Sequence, residues 1–203
     1  MIDTALVLLR DELHAYMMAE VESGAEVRLE NIALFEANQE VNLEGIIISL
    51  VNIEEESTLK NIRATRQNGI GGMEYINPPV FLNLYVLICA NFPGNYKDAL
   101  QWLSGTIRFF QTKNSFNVGN SPHLSVPITG NEPEDLSQLK LTLELYTLTF
   151  EQINHLWGAL GGRQLPFVMY KVRLTSVYDR RVAQEAPLIE SVGSMAKHIS
   201  QNP

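Results

Sequence analysis

The sequence holds one cysteine, Cys89, so no internal disulfide can form and nothing points to folding in an oxidising compartment. Cys89 sits inside an apolar run, as expected of a buried structural thiol. Positive charge is scarce. Against 23 acidic residues stand 15 lysines and arginines, a formal net charge of -8, which disfavours nonspecific binding to nucleic acid or to an anionic membrane. Long apolar runs are missing too: none approaches the roughly 20 residues that span a bilayer. The start, MIDTALVLLRDELHAYMM, lacks the basic residues and cleavage site of a secretory signal. The expectation is a soluble chain with no direct membrane insertion.

Catalytic signatures are equally sparse. His14, His123, His155 and His198 lie in separate segments, and none belongs to an H-E-x-x-H or Cys/His spacing that would hold a metal. There is no G-x-S-x-G elbow, P-loop or dinucleotide fingerprint. The glycines of NGIGG lack the lysine of a phosphate loop, and Glu54, Glu55 and Glu56 read as a solvated strand end. The expectation is no enzyme, no metal and no cofactor.

What is present is a folding chain. Its 203 residues, 45% hydrophobic and 19% charged, suffice for one domain of ordinary size plus a tail. We place the domain at residues 1–181 and the tail at 182–203.

Leu6, Leu9, Leu13 and Met17 recur at helical spacing behind Asp3, a candidate N-cap, and predict an amphipathic helix over 3–20. Short and long strands are expected at 27–32 and 44–53. Residues 54–77 form a long polar connection, read as a hairpin or a flexible arm. After Pro78 and Pro79, VFLNLYVLICA is apolar on both faces and should be a central strand. Asn95 can cap a helix running to about Gln111, with an apolar stripe of Tyr96, Leu100, Leu103, Ile107 and Phe110. Residues 112–137 read as an irregular hairpin.

From Leu139 the chain alternates cleanly, with Leu139, Leu141, Leu143 and Leu145 on one face and Lys140, Thr142, Glu144 and Tyr146 on the other. Thr149 with Gln152 fits a capping box, and Leu148 with Ile153 a hydrophobic staple. The helix they start turns Ile153, Leu156, Trp157 and Leu160 inward and stops at Gly161 and Gly162. In the next strand, FVMYKVRLTSV, Val168, Tyr170, Val172 and Leu174 share the core face, while Lys171 and Arg173 share the face of Glu144 and Lys140. Leu188, Val192, Met195 and Ile199 recur at helical spacing in the tail, as in a helix that docks on a neighbour or packs on its own domain. Together these elements predict an α+β fold: a mixed, largely antiparallel sheet of about four to five strands with helices packed on one face.

In this order, PPVFLNLYVLICANFPGNYKDALQWLSGTIRFFQ, LKLTLELYTLTFEQINHLWGALGGRQLPFVMYKVRL and the N-terminal helix resemble the cap, or tail-terminator, proteins of extracellular contractile injection systems. The likeness covers about residues 1–178, most specifically E-x-x-x-L-W-x-x-L-G followed by L-P-x-x-x-Y-K-V-R. It implies a phage tail-terminator-like fold and a homo-oligomeric, hexameric ring. Such a ring binds the inner-tube protein and the sheath protein at the end distal to the baseplate, ends polymerisation and anchors the last sheath ring. It also implies assembly in the bacterial cytoplasm as part of a particle that is later released. A baseplate or membrane-docking adaptor of the same particle is the alternative. From charge and expected exposure, the candidate partner-binding residues are Lys171, Arg173, Arg180 and Arg181, the loop around Arg63, Arg66 and Met73, and Leu188, Val192 and Met195 of the tail.

Overall fold

The apolar period near the start of the sequence winds into α1, Ile2–Glu20, which buries Ala5, Leu6, Leu8, Leu9, Leu13 and Met17 on one side. Asp3 is not its cap. It lies within the first turn and pairs with the N-terminal ammonium at 2.8 Å. In the computed structural model, residues 1–20, 25–34, 44–56, 65–67, 73–76, 80–125, 139–161, 164–177 and 182–186 are described. They fall into two compact units, Met1–Lys60 with Val80–Val177, and Asn61–Pro79 with Tyr178–Pro203.

The first unit contains a six-stranded mixed sheet. Its strands are β1 (Glu26–Leu29), β2 (Gly45–Glu55), β5 (Val80–Asn91), β6 (Ser115–Asn117), β7 (Lys140–Leu145) and β8 (Phe167–Val177), arranged in the order β1-β2-β5-β8-β7-β6. Only β1 and β2 run parallel; the other neighbours are antiparallel. As its two apolar faces predict, β5 is internal, with Ile88 opposite Ile48 on one side and Val168 on the other. The α+β class holds, with six strands in place of four to five. The added strand is β6, whose three residues are too few to show a period in the sequence, while β1 overlaps the short strand expected at 27–32.

Alternation sends Ile46 and Ile48 of β2, Leu84, Val86, Ile88 and Ala90 of β5, and Val168, Tyr170, Val172 and Leu174 of β8 to one face. There they meet α1 and α2, Tyr96–Thr112. Asn95 Oδ1 caps α2 by accepting the Asp98 N–H at 3.4 Å. The third helix, α3 (Phe150–Ala159), departs from the one-faced arrangement. Its Trp157, Ile153, Leu156 and Leu160 pack with Ile47, Leu87, Cys89 and Phe167, which point to the opposite face. The reason lies in β5: with apolar side chains on both sides, it must be covered on both. The capping box that starts α3 forms as its residues predict, the Thr149 N–H donating to Gln152 Oε1 at 2.9 Å and the Gln152 N–H to Thr149 Oγ1 at 3.3 Å. Past its end Gly161 adopts a φ of 109°.

A second departure concerns α2. Its buried residues are Ala99, Trp102, Thr106, Phe109 and Phe110, whereas Tyr96, Leu100 and Ile107 of the expected stripe are 66%, 45% and 40% exposed. At about 100° per residue, apolar side chains cover an arc of roughly 180° on this helix. The sheet takes one side of that arc, and Tyr96, Leu100 and Ile107 occupy the other. Met17 of α1 touches the helix at Gly105, where an added Cβ would lie 3.0 Å from its Sδ, so α1 runs along the flank away from the exposed stripe.

Between α1 and the segment after α2 lies a polar clasp. Glu12, 5% exposed, accepts the Lys113 ammonium at 2.7 Å and the His123 N–H at 2.9 Å. Burial alone would raise its carboxyl, but these bonds outweigh it and hold the group below the usual range. Asp11 is lowered in the same way: burial opposes, while the Ser125 hydroxyl and N–H at 2.7 and 2.8 Å, with Arg10, favour the carboxylate.

The second unit is an antiparallel three-stranded sheet in the order β3-β4-β9, formed by β3 (Thr65–Gln67), β4 (Met73–Ile76) and β9 (Val182–Ala186). The hairpin expected within 54–77 is the β3–β4 pair, and β9 begins what reads as the tail. The helix expected from Leu188 to Ile199 lies outside the described residues.

Candidate interaction surfaces

The sheet face that carries α3 changes character from one end to the other. Beneath the helix the cross-strand row is Ile47, Cys89 and Phe167, all apolar, and the buried Cys89 thiol is pushed up to about 12 by desolvation. Four residues along β5, Tyr85 is flanked by Asn52 and Lys171, with Glu144 beyond. The last row is Glu54, Asn83, Arg173 and Thr142. Alternation along four strands therefore builds a polar floor at the end that α3 leaves open.

Bonds across this floor fix its geometry. The Tyr85 hydroxyl donates to Glu54 at 2.8 Å, and that bond, reinforced by burial, pushes its pKa up to about 12. The Tyr85 ring meets Tyr146 edge-on at 5.0 Å. Arg173 donates to Glu144 at 3.1 Å between side chains that are half exposed. Asn83, only 4% exposed, donates through Nδ2 to Glu56 at 3.0 Å, and its Oδ1 has no hydrogen-bond partner among the described residues. A pocket of about 230 Å³, lined by Glu56, Phe81, Asn83, Lys140, Thr142 and Arg173, adjoins it.

Two of the residues singled out from sequence, Lys171 and Arg173, come together on this floor. Arg66 and Met73 lie in the second unit, their backbones paired with Glu74 and Gln67 in the β3–β4 hairpin. Arg63, Arg180, Arg181, Leu188, Val192 and Met195 lie outside the described residues. Sequence reasoning missed Asn83, although an asparagine inside VFLNLYVLICA is the signal that could have found it. It also missed the Tyr85–Glu54 pair, which joins residues 31 apart in the chain.

Among the described residues, apolar side chains are also exposed singly at Met18, Leu34, Ile53 and Val80, and in two groups. One is the α2 stripe. The other is the β7–α3 junction, where Leu145 is 60% and Phe150 92% exposed. A cleft of about 610 Å³ beside the edge strand β1 mixes charges of both signs, including Arg10, Asp11, Glu26, Arg28 and Glu30, with His14, whose Nδ1 accepts the Val27 N–H at 3.4 Å. Among the described residues no group of three or more His, Cys, Asp or Glu could hold a metal, and no helix is long and apolar enough to cross a membrane.

Against solved structures, the chain is similar to the sheath/tube terminator of PVC, an extracellular contractile injection system, in its extended state. That match has 15% identity and a TM-score of 0.56, and it covers 96% of this chain and 64% of the other. It is also similar to the tube-terminating cap of the anti-feeding prophage, with 16% identity and a TM-score of 0.60, over 96% of this chain and 60% of the other. The chain thus spans about three fifths of the length of these structures and shares their fold. No curated protein resembles the sequence closely enough to count as a match. The model of the Pvc16 N-terminal domain matches residues 5–191, nearly the whole sequence, and the chain belongs to that family.

Proposed function

We propose that this protein is a structural cap of a contractile injection system: a homo-oligomeric, hexameric ring that closes the distal end of the inner tube, stops its polymerisation and holds the last ring of sheath. The observation that carries this reading is the family match over residues 5–191, together with a fold shared with two tube-terminating proteins over 96% of the chain. The reading needs no catalysis. A ring acts by presenting one terminal surface and no site for further addition. Modest contacts repeated around it sum to firm attachment.

The polar floor around Lys171, Arg173, Glu144 and Tyr85 supplies one proposed partner-facing surface. Arg180, Arg181, Arg63, Arg66 and Met73, with Leu188, Val192 and Met195, supply the other proposed contacts to tube and sheath. The protein would assemble in the bacterial cytoplasm and leave it as part of the particle.

Electron microscopy of particles carrying a tagged copy of this chain tests the reading. Label at the end away from the baseplate, and tails of unregulated length when the chain is deleted, are the expected results. Label at the baseplate, with tail length unchanged on deletion, would overturn it in favour of an adaptor.

A further inference from the structure

The two ends of the six-stranded sheet, β1 and β6, are held to their surroundings in different ways. At β6 the holder is an amide: the Asn117 N–H donates to Asn120 Oδ1 at 2.8 Å, and Asn120 Nδ2 donates to the Ser115 carbonyl at 3.0 Å. At β1 it is an imidazole, the Val27 N–H donating to His14 Nδ1 of α1 at 3.4 Å. We propose that His14 is a pH-sensitive latch, which holds the β1 edge of the sheet to α1 while its ring is neutral and releases it when the ring takes a proton.

The bond itself fixes the protonation state. The Glu30 N–H donates to Ile48 on β2 at 3.1 Å, and alternation along β1 therefore turns the Val27 N–H away from β2, toward α1. A ring nitrogen that accepts an N–H carries no proton, so the neutral ring keeps its proton on Nε2. A protonated imidazole donates from both nitrogens, and two donors would then meet across the same 3.4 Å. Histidine is the side chain that ordinarily changes charge between about pH 5 and 8. The contact is thus present above that interval and lost below it. Asn120 has no such proton to gain, so the two edges answer acid differently.

The surroundings admit the proton and accommodate the cation. His14 is half-buried and lines the cleft of about 610 Å³ with Arg10, Asp11, Glu26, Arg28 and Glu30. Arg10 and Arg28 oppose a third cation, but each already faces a carboxylate, Asp11 at 2.6 Å and Glu26 at 3.0 Å. Glu30 adds a carboxylate beyond these two pairs, so among the described residues the cleft holds three anions against two cations before His14 is protonated. Acid therefore turns the ring from a backbone donor toward side-chain carboxylates. Residues Glu26–Leu29 keep their ladder to Gly45–Ile48, so release frees one edge and leaves the sheet folded.

Hydrogen–deuterium exchange of the full-length chain tests the latch, read residue by residue in peptides spanning 25–31 and 113–119 and corrected for the intrinsic pH dependence of amide exchange. Between about pH 7.5 and about pH 5.5 the Val27 amide should lose about fivefold in protection, the worth of one hydrogen bond. The Asn117 amide should keep its own. His14→Asn places a side-chain oxygen near the position of Nδ1 without a titrating group and should keep Val27 protected at both pH values, whereas His14→Phe should leave it unprotected at both. Equal protection of wild-type Val27 at the two pH values would overturn the proposal. So would the same loss in His14→Asn as in the wild type, which would assign it to another group, or a loss shared by Val27 and Asn117, which would make it unfolding of the sheet.

Discussion

Replacing Glu12 by glutamine keeps the shape of a side chain that is 5% exposed and removes its charge. Glu12 Oε2 takes the Lys113 ammonium at 2.7 Å, while Oε1 takes the His123 N–H at 2.9 Å and faces the His123 ring nitrogen at 3.2 Å. A glutamine offers one oxygen for these donors and turns an NH2 group toward the rest. Hydrogen bonds to a charged group contribute about 1.5–3 kcal/mol each. The Lys113 and His123 side chains are 26% and 57% exposed and retain water as an alternative partner, so the cost should stay below the 3–5 kcal/mol typical of breaking a fully buried pair. The expected loss is about 2–3 kcal/mol, read as a lower urea midpoint by circular dichroism at neutral pH.

The pH dependence gives a second reading of the same clasp. Glu12 is held below its ordinary 4.5 in the folded chain. Its contribution is therefore fully present above that value and lost as pH falls through the lower, folded one. Glu12→Gln should flatten part of the acid limb, leaving the share of Asp11, whose carboxyl is lowered too. Lys113→Met should lower stability at neutral pH and likewise shrink the acid limb, because burial then acts on a carboxylate that has lost its cation and its folded-state pKa moves back toward the unfolded one. A Glu12→Gln chain with the wild-type midpoint and an unchanged acid limb would refute the reasoning.

Two further outcomes follow from single side chains. Gly45→Ala should destabilise by roughly 3 kcal/mol or more, because Gly45 has a φ of 140° and an added Cβ would lie 2.0 Å from the Glu26 carbonyl oxygen; urea unfolding measures it, and a wild-type midpoint would contradict the close approach of β1 to β2. Tyr85→Phe should cost about 1 kcal/mol through loss of the bond to Glu54. Because Tyr85 is pushed up to about 12 in the fold from 10.0 ordinarily, its share of stability is complete below 10.0 and is lost as pH rises toward 12, so the variant should lose less stability than the wild type over that interval and show a smaller late phase in the ultraviolet titration, that of the buried Tyr170 remaining.

Much of the first unit could be read locally. The Leu6–Leu9–Leu13–Met17 period gives α1 its buried side, Thr149 and Gln152 mark the start of α3, and the alternation of β7 and β8 places Lys171 and Arg173 on the face of Glu144. Each is set by residues within a turn or two of one another, where helix period, strand alternation and capping act directly. The family resemblance rested on the same segments and agrees with the match over residues 5–191.

What remained illegible depends on residues far apart in the chain. The apolar arc of α2 is visible in the sequence, but the part of it that meets the sheet is decided by where β5, β8 and α1 lie, so Tyr96, Leu100 and Ile107, on the stripe the period predicts, are exposed. β9 pairs with β4 across more than 100 residues, and Asn83 became an orphaned buried acceptor only when β5 was enclosed between β2 and β8. By itself the sequence determined which side chains share a face, because backbone geometry repeats with a period that every residue obeys. Which faces are covered, and which are left for other molecules, the tertiary structure alone decided, because burial is a property of neighbours that the chain supplies from elsewhere.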